Sequence, residues 1–154
     1  MENPLCATGR GTYAGVMSEL RCPQCSARNR VGAIPRGVPR CARCKALLPW
    51  LVPADASNFE EEATTSVPVV VDLWAPWCVP CQMIAPALAD FAAAHAGQVK
   101  VVKVNIDEDP GLGARFHARS IPLLVVLREG HEVDRITGAV SRQALESRLA
   151  PLIA

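Results

Sequence analysis

Two Cys-x-x-Cys pairs, Cys22-Pro23-Gln24-Cys25 and Cys41-Ala42-Arg43-Cys44, stand fifteen residues apart in a stretch with almost no large apolar side chains. A segment like residues 18–49 cannot bury enough apolar surface to fold on hydrophobic energy alone. It needs a cross-link. Each two-residue turn lets a pair of thiolates reach one ion, and two such turns complete a tetrahedron. The spacing is that of a structural zinc site, and zinc binding supplies ~10 kcal/mol or more of folding energy. With Cys22, Cys25, Cys41 and Cys44 all as ligands, no position remains for water, so the expected ion is structural rather than catalytic. The alternatives are two disulfides, four free thiols, or iron in the same cage. Disulfides need an oxidising compartment, free thiols leave the segment unfolded, and iron also suits four thiolates.

The 154 residues allow one core plus a small module, and half of them are apolar. No charge-free apolar stretch approaches the ~18 residues of a spanning helix. Met1 to Leu20 hold no apolar block of signal-peptide length. The chain therefore reads as cytoplasmic, without membrane contact and with reduced thiols. Residues 1–17 show no periodicity and are expected to be a disordered extension carrying a lone Cys6; Met17 could itself be the start. Charge is divided: residues 1–50 carry eight basic and two acidic residues, residues 51–154 eight basic and thirteen acidic. A basic front half can signal nucleic-acid contact, but no aromatic residue is interleaved with the charges. A solvated module is the favoured reading, and a nucleic-acid partner is not expected.

Residues 50–154 carry the pattern of an α/β domain. A short strand is expected at Trp50–Val52. The capping-box spacing Ser57-Asn58-Phe59-Glu60 predicts a helix to about Thr65. Val67–Trp74 reads as a strand buried on both faces. Met83, Ile84, Ala87, Leu88 and Phe91 share one face of a helix over Val79–His95, with Pro86 inside it and Gly97 stopping it. Val99–Ile106 is a second buried strand. Asp109-Pro110 opens a short helix to about Phe116. Strands over Pro122–Leu127 and Glu132–Thr137 form a hairpin, and Ser141 caps a final helix. The alternation argues a parallel core sheet with an antiparallel edge.

A further pair, Cys78-Val79-Pro80-Cys81, falls between the buried strand and the long helix. A Cys at a helix N-terminus meets unpaired amides and the positive end of the dipole, which favour the thiolate. A thiolate attacks disulfides. Cys81, one turn on, is placed to resolve the mixed disulfide.

The segment Val69-Val70-Val71-Asp72-Leu73-Trp74-Ala75-Pro76-Trp77-Cys78-Val79-Pro80-Cys81 resembles the active-site segment of thioredoxins. Lys103-Val104-Asn105-Ile106-Asp107, Arg119-Ser120-Ile121-Pro122 and Gly138-Ala139 resemble three further motifs, in order. With the four-cysteine module in front, the chain is similar to the bacterial zinc-ribbon type of that family. The resemblance implies a thioredoxin fold, a central mixed sheet of five strands flanked by four helices, with a small N-terminal zinc ribbon. It implies protein-disulfide reductase activity on disulfide-containing proteins and reduction by a thioredoxin reductase. Cys78 takes the exposed nucleophile's position and Cys81 the buried resolving thiol's. Asp72 takes the buried carboxylate's place, Lys103 its neighbouring lysine's and Pro122 the cis-proline's. Trp77, Ile121, Gly138 and Ala139 are expected to line, with Pro122, a shallow substrate groove. Val79 departs from the usual Gly, Leu73 from Phe and Leu123 from Thr. The rival reading is a redox-sensing or binding module whose basic ribbon contacts a partner. The ribbon is expected to fold independently of the redox domain.

Overall fold

Strands and helices alternate from residue 51 onward, as the apolar pattern predicts. The computed structural model describes residues 17–153, so the expected extension with Cys6 lies outside the described residues except for Met17. Two short strands come first, β1 (Ser18–Arg21) and β2 (Arg28–Val31), paired antiparallel. Then follow β3 (Leu51–Ala54), α1 (Phe59–Ala63), β4 (Val69–Trp74), α2 (Val79–Ala94) and β5 (Lys100–Asn105). The chain closes with α3 (Pro110–Arg115), β6 (Leu123–Arg128), β7 (His131–Thr137) and α4 (Arg142–Ile153). The second sheet has the order β3-β5-β4-β6-β7. β3, β5 and β4 are parallel, and β6 and β7 add the antiparallel edge. This is the mixed sheet of the thioredoxin fold. No helix among the described residues is long and apolar enough to cross a membrane.

Strand periodicity divides the core in two. Val70, Val101, Leu124 and Val126 face α2 and α4, packing with Ile84, Leu88, Phe91, Leu145 and Leu149. Val69, Val71, Leu73, Val102 and Val104 face the other side with Phe59, Leu112 and Phe116. That second cluster continues without a break into Leu48, Val31, Leu20, Cys22 and Cys41. Leu47 also packs over Gly97, whose φ of +84° suits the residue that ends the α2 region. The boundary at residue 50 thus divides the sequence but not the core, and the expected independence of the two units does not extend to their packing.

The helix starts differ from each other for a local reason. Ser141 caps α4 as expected, its Oγ accepting from the Ala144 amide at 3.1 Å. The capping box before α1 does not form. Asp55 captures the Ser57 amide at 2.8 Å and the Ser57 hydroxyl, and Asn58, at the N-cap, accepts instead from the Asp55 amide at 2.7 Å. An Asx-type turn has taken the Ser57 amide that the Glu60 side chain would accept from in the box. At the hairpin tip Glu129 (φ 52°) and Gly130 (φ 80°) both lie in the left-handed region, as a two-residue turn of the primed type requires.

One buried ion pair ties α1 to the sheet. Lys100, fully buried at the start of β5, donates to Glu62, itself 1 % exposed, and lies 4.5 Å from the centre of the Trp50 ring. Removing one partner strands a desolvated charge; removing both does not. Glu62→Leu is expected to lower the urea-derived stability by about 3–5 kcal/mol, and adding Lys100→Met should restore most of it. Simply additive losses would show that the pair does not act as a unit.

Candidate active site and metal centre

Three strand ends converge where β4 leaves the sheet. Trp74 is opposite Asn105 of β5, and the Leu73–Leu123 pairing brings Pro122 to the level of Trp74. The Gly138 amide donates to the Pro122 carbonyl at 2.9 Å, which adds the end of β7. From Trp74 the chain turns through Ala75 and Pro76, and Cys78 becomes the N-cap of α2. Its Sγ accepts from the Cys81 amide at 3.1 Å, so an otherwise orphaned helix donor is aimed at the sulfur. Cys78 and Cys81 are joined as a disulfide with their Cα atoms 5.3 Å apart. The Ile121-Pro122 bond is cis, and Cys78 Sγ lies 3.8 Å from the Ile121 carbonyl.

The expected contrast in exposure between the two cysteines is absent. Cys78 is 3 % exposed and Cys81 5 %. The closed disulfide is tucked against Ala75 and Ile121, while Trp77 and Val79 take the solvent at 67 % and 62 %. What separates the two sulfurs here is helix position: Cys78 receives the free amide and Cys81 supplies it. Trp77, Ile121, Gly138 and Ala139 all retain solvent contact around the pair, as a groove requires. Pro122 is buried beneath them. A hollow of about 480 Å³ lined by Met83, Pro86, Ala87, Ala139 and Val140 continues beyond Ala139.

Asp72 is on β4, two residues before the strand end, and alternates with Val71 and Leu73, so it points to the α2 side of the sheet. It is 2 % exposed, and its Oδ1 has no hydrogen-bond partner among the described residues. Burial pushes its pKa up to about 6, and the Lys103 charge pulls only partly back. Lys103 pairs with Asp72 in the β5 register and lies 5.1 Å over the Trp74 ring. A second carboxylate near the site, Asp107, accepts from Trp77 Nε1 at 3.1 Å and so anchors the exposed indole. Sequence reasoning placed Asp107 in a motif but gave it no role, because a bond across thirty residues has no local signal.

At the other end of the chain, the four expected ligands come together. The Sγ atoms of Cys22, Cys25, Cys41 and Cys44 all lie within 4.8 Å of one another, and could hold a metal ion. The two turns are copies of one another. The Cys22 carbonyl accepts from Ser26 and the Cys41 carbonyl from Lys45, each at 2.9 Å, and Ser26 and Lys45 both have positive φ. The shifts within the cluster are opposed: the Cys44 amide leads in bringing Cys41 down to about 6, while Cys44, against the Ala46 amide, is pushed up to about 11 by Cys22, by burial and by the other two sulfurs. Buried Asn29 was not foreseen. Its Nδ2 donates to Cys41 Sγ at 3.6 Å, and its Oδ1 accepts from the Ala42 amide at 2.9 Å, which holds the second turn in place.

The thioredoxin family model matches residues 50–151. Among similar proteins, thioredoxin 1 of Synechococcus elongatus is 45 % identical over 95 residues, 62 % of this chain and 89 % of the relative. A thioredoxin of Synechocystis sp. is 44 % identical over 96 residues, covering 62 % and 90 %. One of Alicyclobacillus acidocaldarius is 41 % identical over 97 residues, covering 63 % and 92 %.

The Asp72 carboxyl sets a pH test. Its folded pKa is raised above the unfolded value, so ionising it opposes folding. The penalty is absent below about pH 4, grows as pH rises toward about 6 and is constant above. Asp72→Asn is therefore expected to gain about 2–3 kcal/mol over the wild type at about pH 8, and nothing at about pH 3.5, in denaturant titrations. A gain of equal size at both pH values would assign the effect to packing.

Proposed function

The chain belongs to the thioredoxin family, and on that premise we propose that Cys78-Val79-Pro80-Cys81 is the redox pair of a protein-disulfide reductase carrying a zinc ribbon. As a thioredoxin it is a thiol–disulfide oxidoreductase. The observation that carries the finer reading is the Cys78–Cys81 bond at the N-terminus of α2, beside the cis Ile121-Pro122 bond.

In the reduced protein, Cys78 is the nucleophile. The Cys81 amide that reaches its sulfur in the disulfide, and the N-terminal end of α2, favour its thiolate. The thiolate attacks one sulfur of a substrate disulfide; a Cys78–substrate bond forms, the substrate bond breaks, and the departing thiolate takes a proton from solvent. Cys81 then loses its proton, with the Asp72 carboxylate as the base that assists, and attacks Cys78 Sγ. The second substrate thiolate leaves, and two electrons have passed from the cysteine pair to the substrate. Lys103 tunes Asp72 through their adjacent positions in the sheet. Trp77, Ile121, Pro122, Gly138 and Ala139 hold the target chain, whose extended backbone suits a groove between Cys78 and the ends of β6 and β7. A thioredoxin reductase returns the electrons. The reading places the protein in the cytoplasm, because a tetrathiolate and a cycling thiol pair both need a reducing compartment.

Residues 18–49 act as the ribbon and residues 50–154 as the redox domain. Zinc fits the four cysteines. A tetrahedron with ~2.3 Å bonds has edges of about 3.8 Å, and the Cys22–Cys44 and Cys25–Cys41 sulfurs are 3.5 and 3.6 Å apart. The ion's contribution is to hold the two turns together.

Cys78→Ser is expected to abolish insulin reduction, and Cys81→Ser to accumulate mixed disulfides visible by mass spectrometry. Turnover at the wild-type rate in Cys81→Ser would reverse the two roles. Metal analysis should find zinc equimolar with the chain, retained in Cys78→Ser and lost in Cys41→Ser. Zinc loss in Cys78→Ser would show that the two cysteine groups are not separate sites.

A further inference from the structure

The ribbon carries a cationic face that the rest of the structure leaves unused. In the β1–β2 ladder Glu19 pairs across from Arg30 and Arg21 across from Arg28, so all four side chains share one face, and all four are exposed. The opposite face, Leu20, Asn29 and Val31, is buried. Two arginines directly opposite one another repel. Among the described residues one ion pair relieves the face, Arg28 to Glu19 at 3.6 Å. Arg21, Arg30, Arg36 and Arg43 have no ion-pair partner among the described residues.

Four arginines of the redox domain behave otherwise: Arg115, Arg135, Arg142 and Arg148 each hold a carboxylate, although Arg119 there also has no ion-pair partner among the described residues. The free arginines are also not donors to the cysteine sulfurs; the side chain that donates there is Asn29. Neither an ion pair nor a hydrogen bond to a cysteine sulfur therefore engages them among the described residues.

We propose that the Arg21–Arg28–Arg30 face of the ribbon docks an acidic segment of the protein substrate while Cys78 attacks that substrate's disulfide. Guanidinium forks match carboxylates in pairs. A protein segment fits better than nucleic acid for two reasons on this face. Residues 17–49 contain no Phe, Tyr or Trp on which a base could stack. Glu19 also stands within the face, where it opposes a continuous phosphate backbone but not a peptide whose acidic side chains can be spaced around it. A second foothold on the same molecule raises the local concentration of the disulfide at Cys78 without any new contact at the redox pair. The inference rests on the reductase reading above, but its binding step can be measured apart from it.

The test uses the full, zinc-loaded chain and two disulfide peptides, identical except for a tail of about ten Glu or about ten Ser residues. At ~50 mM salt the Glu-tailed peptide is expected to have a KM about three- to tenfold lower, with kcat unchanged. The gap should close at ~500 mM salt and in Arg21→Ser/Arg28→Ser/Arg30→Ser, whose rate on the Ser-tailed peptide and zinc content stay at wild-type values. Equal KM values in the wild type, or a gap that survives the triple substitution, overturn the proposal. If the triple variant loses zinc, Arg21→Glu and the wild-type salt dependence decide in its place: a gap unchanged in either is contrary. Anisotropy of a fluorescein-labelled Glu peptide reads docking even if neither disulfide is reduced, an outcome that would refute the reductase reading alone. Tighter binding of a DNA duplex than of the Glu peptide, lost in Arg21→Glu, would overturn the proposal in favour of nucleic acid.

Discussion

β4 is hydrogen-bonded on both sides, to β5 in parallel and to β6 in antiparallel register, and its interior residues are buried. Such a strand can release the chain only at its end. That end is Trp74, and everything in the redox site is arranged by what meets it there. The parallel neighbour delivers Asn105 and then Asp107, which anchors the Trp77 indole. The antiparallel neighbour delivers Pro122 and the Ile121 carbonyl next to Cys78. Opposite strand directions on the two flanks are thus what bring two unrelated loops to one cysteine pair. An all-parallel sheet would have brought the start of β6 to the other end of β4.

The buried charges show the same chain using desolvation in two ways. Lys100 has Glu62 for a partner and the Trp50 ring alongside, so a cation is held in the core where α1 meets the sheet. Asp72 has one oxygen without a hydrogen bond among the described residues, and the Lys103 charge only partly offsets its burial. The first arrangement fixes a helix. The second holds a carboxyl that burial pushes up to about 6, the property that the proposed proton transfer from Cys81 would use. Shared packing adds a third link. Leu20, Val31 and Leu48 enter the cluster around Trp50 and Phe59, so the segment carrying the two cysteine turns covers one flank of the sheet domain.

Much of this was legible in the residues themselves. The valine run of β4, the apolar face of α2, the Ser141 cap and the cysteine spacing are local signals, and each is found within a residue or two of its expected place, except that Met83, counted in that apolar face, is 70 % exposed. The cis Ile121-Pro122 bond was implied by resemblance, not by composition, since a trans bond is the ordinary outcome for proline. What stayed hidden depends on tertiary contact. Glu62 and Lys100 are thirty-eight residues apart, and Asn29 and Cys41 twelve. No periodicity marks such pairs. The capping-box spacing at Ser57 misled because Asp55, two residues earlier, competes for the same donor groups. The low exposure of Cys78 was equally illegible, since it is set by how the closed disulfide lies against Ala75 and Ile121.

The central claim is that helix position, rather than exposure, makes Cys78 the nucleophile. The direct measurement is the pH dependence of iodoacetamide alkylation of the reduced protein, with each modified cysteine identified by mass spectrometry. The account predicts that Cys78 reacts first, through a thiolate that titrates below the ~8.5 of a free cysteine, while Cys81 stays protected over the same range. Equal alkylation of the two sulfurs, or a Cys78 titration at or above the free value, would contradict it.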